Sequence, residues 1–217
     1  MSWWRKLLGK PKAIPSGIEV ASISMPGWDL VRHESRAAHW RDASGDVATL
    51  TLMPPEPLLI LSDARQLQRY CRAVAESQGS GLVEVTCTNG TGGPCVTYIF
   101  KRLRIPAFTF FGVIATPVPQ ATWVWMVVAY ERGTTGLREA TVTATLANAG
   151  RLTMESYQAS WAQDPYDPEY NGVDRKTLCY LSDAPAYDSA FPDHPLTKVR
   201  REIRRLLTVP LPKGPAA

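Results

Sequence analysis

The chain has 217 residues, of which 45% are hydrophobic and 20% are charged. That apolar content is sufficient for one domain with a sizeable core, and it excludes a largely disordered chain. No apolar run approaches the roughly 20 residues that a membrane-spanning helix needs. The basic start is not followed by the apolar stretch of a secretion signal, so we expect a cytoplasmic protein.

The charges are segregated along the chain. Residues 1–12 carry four basic side chains and no acid, and residues 195–217 carry six basic side chains and one acid. Because the net charge is +4, residues 13–194 sum to −5. An acidic body between two basic ends predicts contact with something anionic at those ends. It argues against nucleic acid, which would call for a broader basic surface.

Hydrophobic periodicity predicts the elements in chain order. Strands are expected at 18–24 and 46–53, with a short paired strand at 39–41, and Pro26-Gly27 forms a turn that leads into 28–33. A helix follows over 64–77, capped by Ser62 or Asp63. Four longer strands are expected at 82–88, 96–102, 108–116 and 122–130, and helices at 137–149, 154–162 and 195–207. Because 141–145 has strand-like composition, a strand is the alternative there.

This order predicts an α+β fold, with a single antiparallel β-sheet flanked by helices. We divide the chain into a basic amphipathic N-terminal segment (1–15), the sheet domain (16–163), a C-terminal irregular acidic segment with a basic helix packed on the domain (164–208), and a flexible tail (209–217). The strand at 122–130 is apolar on both faces, so Val124 and Trp125 are both expected to be buried.

One short motif and the order of elements resemble a known family. Pro26-Gly27-Trp28 is followed by a strand that Gly45 precedes and Pro54 ends, then by a helix and a run of long strands. Over residues 18–150 this resembles the PsbP-like fold of the photosystem extrinsic protein PsbP and its DcrB-type bacterial relatives. The resemblance implies a curved antiparallel sheet flanked by helices and a non-catalytic binding or accessory role. It assigns no site residue.

The N-terminal segment pairs aromatic with basic residues at Trp3, Trp4, Arg5 and Lys6. Such a pattern is typical of contact with an anionic membrane surface or a protein partner. Docking on the chain's own domain and disorder are the two alternatives. The protein would accordingly be cytoplasmic, with peripheral membrane attachment as one alternative.

The C-terminal helix carries four arginines around an apolar stripe: Arg200, Arg201, Arg204 and Arg205. They are candidate contacts for an anionic partner. Residues 164–193, here called the acidic segment, sum to −5, so internal pairing is the alternative. In that case we expect Asp183, Asp188 or Asp193 to form exposed pairs with these arginines, each contributing little to stability.

Motifs for metal or cofactor binding are not apparent in the sequence. The run 167–172 imitates half of a calcium loop, but Leu178 stands where the loop requires a bidentate glutamate. The cysteines lack the spacing of a zinc site, and we expect free thiols, with a Cys87–Cys95 bridge as the alternative. We therefore predict no metal and no cofactor.

Two classes of function remain open from the sequence. The first is a non-enzymatic binding or accessory protein with an unidentified protein partner or an anionic membrane surface. The second is an enzyme with an unrecognised constellation of cysteine and histidine. A concave pocket that gathers Cys71, Cys179 or a histidine with a carboxylate would favour the enzyme.

Overall fold

A computed structural model describes residues 23–34, 36–55, 63–119 and 121–212. Most of the strand expected at 18–24 lies outside these residues. Within the described residues, no helix combines the length and the apolar composition that crossing a bilayer would take.

The described residues form one seven-stranded sheet in which every neighbouring pair is antiparallel. Its order is β1-β2-β3-β7-β6-β5-β4. The strands are β1 (Trp28–Glu34), β2 (Ala37–Asp42), β3 (Val47–Met53), β4 (Gly81–Gly90), β5 (Gly93–Arg104), β6 (Ala107–Val118) and β7 (Ala121–Tyr130). The prediction of a single antiparallel sheet is confirmed. In the central strand β7, Val124 and Trp125 expose only 4% and 2% of their surface, as expected.

A helix covers each face of the sheet. Helix α1 (Ala64–Glu76) begins at Asp63, whose carboxylate accepts the Arg65 and Gln66 backbone N–H groups. It packs on the face that carries Tyr98 and Phe100. The helix at the C-terminal end, α4 (Pro195–Leu206), packs its apolar stripe on the opposite face.

The close approach of α4 requires a glycine in β6. A Cβ atom on Gly112 would lie 2.5 Å from Val199 Cγ1 and 2.9 Å from Ile203 Cδ1. Real Cβ atoms are not found at such distances, so a side chain here would push the helix away from the sheet. The spacing between α4 and the sheet therefore depends on this one residue.

Residues 137–191 form a smaller unit with its own apolar cluster. It contains α2 (Leu137–Asn148), α3 (Met154–Ser160), the short antiparallel strands β8 (Ala162–Gln163) and β9 (Cys179–Tyr180), and 3₁₀ turns at Arg175–Thr177, Leu181–Asp183 and Pro185–Ala190. The helix over 137–148 forms despite its threonines. The Thr143 and Thr145 hydroxyls donate to the carbonyls of Glu139 and Thr141, four residues earlier.

The smaller unit reaches the outer edge of β4 at Val85, and the chain beyond α4 packs against the core of the sheet. The Tyr166 hydroxyl accepts the Val85 N–H at 2.6 Å and donates to the Val85 carbonyl at 3.3 Å. Val209 and Leu211, which the sequence places in a flexible tail, pack against the core of the sheet. The described part of the predicted tail therefore lies on the domain.

Candidate functional site: an aromatic cleft above a buried carboxylate

The predicted N-terminal contact residues, Trp3, Trp4, Arg5 and Lys6, lie outside the described residues, and their role stays a prediction.

The four arginines of α4 fall into two groups. Arg201 and Arg204 are exposed, while Arg205 is half-buried and donates to Glu202 at 2.7 Å. Arg200 is 5% exposed, which corrects its prediction as a surface contact.

Arg200 is buried because three acceptors surround its guanidinium. It donates to Glu84 at 2.9 Å, to Asp188 at 2.9 Å and to the Asp183 carbonyl at 2.7 Å. Asp188 also accepts from Arg138 at 3.0 Å. The expected pairing of the acidic segment with α4 is therefore confirmed for Asp188, but the expectation of exposed, weak pairs is wrong. The pairing lies inside the protein, where it fastens the acidic segment to the domain.

The carboxylate of Asp183 pairs with a different partner from the one expected. It accepts from Lys101 Nζ of β5 at 2.6 Å, and both side chains are 0% exposed. The same carboxylate accepts the Tyr180 N–H at 2.8 Å. The Lys101 ammonium lies 3.3 Å from the centre of the Tyr180 ring and 5.0 Å from that of Phe108. This cluster holds the smaller unit on the sheet.

Above this cluster lies an open cleft of about 880 Å³, which we call the aromatic cleft. Its aromatic walls are Phe108, Tyr157, Trp161 and Tyr180. The rings contact one another: Tyr157 stacks on Trp161 with centroids 5.3 Å apart, and Trp161 lies 5.9 Å from Tyr180. The other side is formed by small residues of α2 and the rim by charged residues: Ala140, Thr143, Ala144, Asp174, Arg175 and Lys176.

Besides Asp174 at the rim, the acid Glu139 of α2 lines the aromatic cleft. Both Glu139 oxygens are buried, and neither has a hydrogen-bond partner. Burial is the main cause that raises the pKa of Glu139, and the negative charges of Asp183 and Glu131 raise it further, against the opposing effects of the residue's own backbone N–H and of Lys101. Such a combination of desolvation and like charge in a cleft marks a candidate functional residue.

Glu139 belongs to a group with Glu131 and His194, whose potential ligand atoms lie within 4.8 Å of one another. This group could hold a metal ion only if a histidine nitrogen offered a lone pair. His194 Nδ1 accepts the Leu196 N–H at 3.3 Å, which places the proton of the neutral ring on Nε2. Burial and the nearby Arg138 lower the pKa of His194 to about 4, so the ring is neutral. Neither nitrogen has a free lone pair in this arrangement.

Glu131 is also committed to the backbone. It accepts the Phe108 N–H at 2.9 Å and the Gly136 N–H at 2.7 Å, and it thereby fixes the start of α2. Together with the histidine geometry, this makes the group a poor fit for a metal centre. Within the described residues, both Glu139 oxygens and His194 Nε2 remain buried without a hydrogen-bond partner from another residue.

The cysteines do not assemble a nucleophilic site. All four are free thiols, as expected. Cys71 belongs to α1, and its side chain is buried in the core between this helix and the sheet. Burial and the charge of Asp183 raise the pKa of Cys179 to about 12, which is the opposite of the shift that activates a thiol. Within the described residues, the surroundings of Cys179 therefore oppose the activation that the enzyme alternative requires.

No motif in the sequence indicated the aromatic cleft. Glu139 stands in a helix of alanines and threonines, and the aromatic walls come from β6, α3 and β9. The one available signal was the presence of large apolar residues, such as Met154 and Tyr157, among polar ones in a short helix. A helix of seven residues cannot bury them by itself.

Comparison with known proteins assigns no family. No family model matches the chain, and no curated protein sequence matches it. Among solved structures, the Ran-binding protein Mog1p of Saccharomyces cerevisiae is similar over 60% of this chain and 77% of that chain, with 11% identity and a TM-score of 0.36. A point mutant of Mog1 is similar over 59% and 77%, with 12% identity and a TM-score of 0.35. Likeness at this level carries no argument about function, and the PsbP-like resemblance stays a prediction.

Proposed function

We propose that this chain is a non-enzymatic accessory protein that holds a segment of a partner protein in the aromatic cleft. The observation that carries the proposal is the cleft itself: an open concave surface whose aromatic walls face the small side chains of α2 and Glu139. Aromatic side chains are enriched where proteins bind one another, because they bury a large area at little entropic cost.

Exposed apolar residues extend this surface beyond the cleft. Met154 is 75% exposed and Leu137 is 55% exposed, and they stand on the two helices that form the cleft walls. Tyr157 and Leu181, on α3 and beside β9, are more than one-third exposed. Apolar residues gathered around one concavity are typical of an interaction site, whereas scattered ones need no explanation.

Occupation of the cleft can be blocked from α2 without touching the core. Ala144 lines the cleft and is exposed, whereas Ala147, on the same helix, is exposed but does not line it. Ala144→Trp would fill the cleft, and Ala147→Trp is the matched control. Proteins retained by the tagged chain from an extract of its source cell are quantified for the parent and both variants.

The expected result is a protein retained by the parent and by Ala147→Trp but lost with Ala144→Trp. Once purified, that protein should bind Ala144→Trp at least about tenfold more weakly than the parent, as for a substitution at the centre of an interface. Equal affinity for all three would overturn the proposal. If Ala144→Trp instead abolished self-association, or acted only when residues 1–12 were present, the occupant would be a second copy or the chain's own N-terminal segment.

Contact of Trp3, Trp4, Arg5 and Lys6 with an anionic membrane surface stays a separate prediction. Deleting residues 1–12 should reduce binding to anionic vesicles while leaving the aromatic cleft intact. Equal vesicle binding with and without these residues would remove it.

A further inference from the structure

The first strand of the sheet has an open edge. Within the described residues, β1 is the terminal strand of the sheet and pairs only with β2. All its residues from Asp29 to Glu34 are exposed. The strand at the opposite edge, β4, is reached by the smaller unit at Val85. An edge strand presents a row of backbone N–H and C=O groups, so β1 offers a place where a further strand can pair.

Two adjacent residues of this exposed strand are apolar. Leu30 is 43% exposed and Val31 is 57% exposed. Val31 forms a β-bulge, because the register passes from Leu30 opposite Trp40 directly to Arg32 opposite His39. A bulge and charged side chains usually protect an edge from indiscriminate pairing. Since β1 carries both, it can pair only in a register that suits its bulge and its charges.

The bulge determines which side chains share a face of the sheet. The β2 partners of Asp29 and Arg32 are two residues apart, so these two side chains lie on one face. The β2 partners of Trp28, Leu30 and His33 are also an even number of residues apart, so these side chains lie on the other face. Without the bulge, Asp29 and Arg32 would lie on opposite faces.

A second copy of the chain presents an edge that complements β1. Two copies that pair antiparallel through β1 are related by a twofold axis perpendicular to the sheet, so side chains that oppose each other must share a face. The register that places Asp29 opposite Arg32 of the second copy meets this condition. By symmetry, Arg32 then lies opposite Asp29 of the second copy. The same register places Leu30 beside Val31 of the second copy, so opposite charges and apolar side chains both meet.

The neighbouring registers are unfavourable. A shift by one residue in either direction opposes side chains from different faces. A shift by two residues that places Asp29 opposite Glu34 matches the faces but opposes like charges, which is destabilising. Arg32 contacts Glu34 of its own strand at 2.6 Å, but both side chains are more than half exposed. Such a pair contributes little and leaves Arg32 available to a second carboxylate.

We infer that β1 is a self-association surface, through which two copies of this chain join their sheets into one continuous antiparallel sheet. Backbone hydrogen bonds hold the two edges together, as in other cases of β-strand addition, and two ion pairs between Asp29 and Arg32 fix the register. Because only one strand and its flanking side chains from each copy are buried, the interface is small and the association is weak. It uses none of the residues that line the aromatic cleft, so it is independent of the proposed function.

The two charges allow a test by exchange. Asp29→Arg leaves two basic side chains opposite each other, and Arg32→Asp leaves two acidic ones, so neither variant should pair with itself. An equimolar mixture of the two variants regains both ion pairs. Glu169→Arg and Arg104→Asp, at exposed positions outside β1, are the matched controls for the change of charge. Sedimentation velocity of the full chain is measured up to about 200 µM, because small interfaces are weak.

The parent and both controls should form dimers as the concentration rises, and each single β1 variant should dimerise at least about tenfold more weakly. The mixture should dimerise as strongly as the parent. So should the double variant Asp29→Arg/Arg32→Asp, which makes the same exchange within one chain and decides the test if a single variant fails to fold.

Four results would overturn the inference. They are a parent that stays monomeric throughout, single variants that dimerise like the parent, and a mixture and double variant that dimerise no better than the single variants. The fourth is a dimer that Ala144→Trp abolishes, because the copies would then meet at the aromatic cleft.

Discussion

Lys101→Met should be among the most damaging single substitutions in this chain. The Lys101 ammonium and the Asp183 carboxylate are 2.6 Å apart, and neither side chain has any exposed surface. Methionine keeps most of the volume and apolar contact of the lysine stem, so the change removes the charge with little cavity. Asp183 would then remain buried with only the Tyr180 N–H to bind its paired oxygen.

The magnitude follows from desolvation and not from the attraction between the charges. Removing one partner of a buried ion pair leaves an uncompensated charge and costs about 3–5 kcal/mol. Since domains of this kind are stable by about 5–15 kcal/mol, the loss would be about a fifth or more of the total. Urea unfolding of the parent and Lys101→Met, followed by tryptophan fluorescence, measures it directly.

A double variant measures the interaction energy between Lys101 and Asp183 apart from their contacts with other residues. Combining Lys101→Met with Asp183→Asn removes both charges, and its destabilisation should be smaller than the sum of the two single changes by at least about 1 kcal/mol. Additive effects, or a loss below about 1 kcal/mol for Lys101→Met alone, would refute the view that this pair holds the smaller unit on the sheet.

Three further changes test the remaining features. Glu139→Gln should raise the free energy of unfolding at pH 7, since the raised pKa of Glu139 means that its ionisation opposes folding. Below the ordinary pKa of 4.5, the parent and the variant should be equally stable. A variant less stable than the parent at pH 7 would contradict this. Because the pKa of His194 is lowered in the folded protein, folding favours the neutral ring. The free energy of unfolding of the parent should therefore fall by about 3 kcal/mol as the pH drops from 6.5 towards 4. In His194→Gln this pH dependence should be much weaker, as measured by urea titrations. Gly112→Ala should cost about 1–3 kcal/mol in thermal unfolding, because its Cβ would meet Val199; an unchanged Tm would show that α4 shifts freely.

Most of the sheet could be predicted from the sequence because each of the strands β3 to β7 carries its own signal. In β7 the alternation of Trp123 and Trp125 with Val124 and Met126 gives two apolar faces, which is the pattern of a strand covered on both sides. Helix α4 was predictable for the same reason, since its apolar stripe and its proline at the first turn are local features. Its burial on the sheet completes a pattern that the sequence already contains.

The candidate site could not be predicted because its residues meet only in space. Lys101 and Asp183 are 82 residues apart in sequence, and Arg138 and Asp188 are 50 apart. Arg200 was expected on the surface because arginines beside an apolar stripe are usually solvated. Its actual position depends on Glu84 and Asp188, which arrive from an edge strand and a 3₁₀ turn.

Glu139 has the weakest signal of all. In the sequence it is an acid in the first turn of a helix, where a negative charge is favourable, and nothing distinguishes it from a solvated residue. Only the folded structure buries both of its oxygens and brings the carboxylate close to Glu131 and His194. A buried, unpaired acid is a property of the fold and cannot be read from one position.

The most direct test of the aromatic cleft as a partner site is photo-crosslinking in the source cell. A photoreactive phenylalanine analogue is placed at Thr143, which lines the cleft, and in a second version at Thr145, which is exposed on the same helix outside it. If a partner occupies the cleft, we expect a discrete protein adduct from position 143. This adduct should be absent from position 145 and lost on adding Ala144→Trp. Identical adducts from both positions, or an adduct from position 143 that persists with Ala144→Trp, would contradict it.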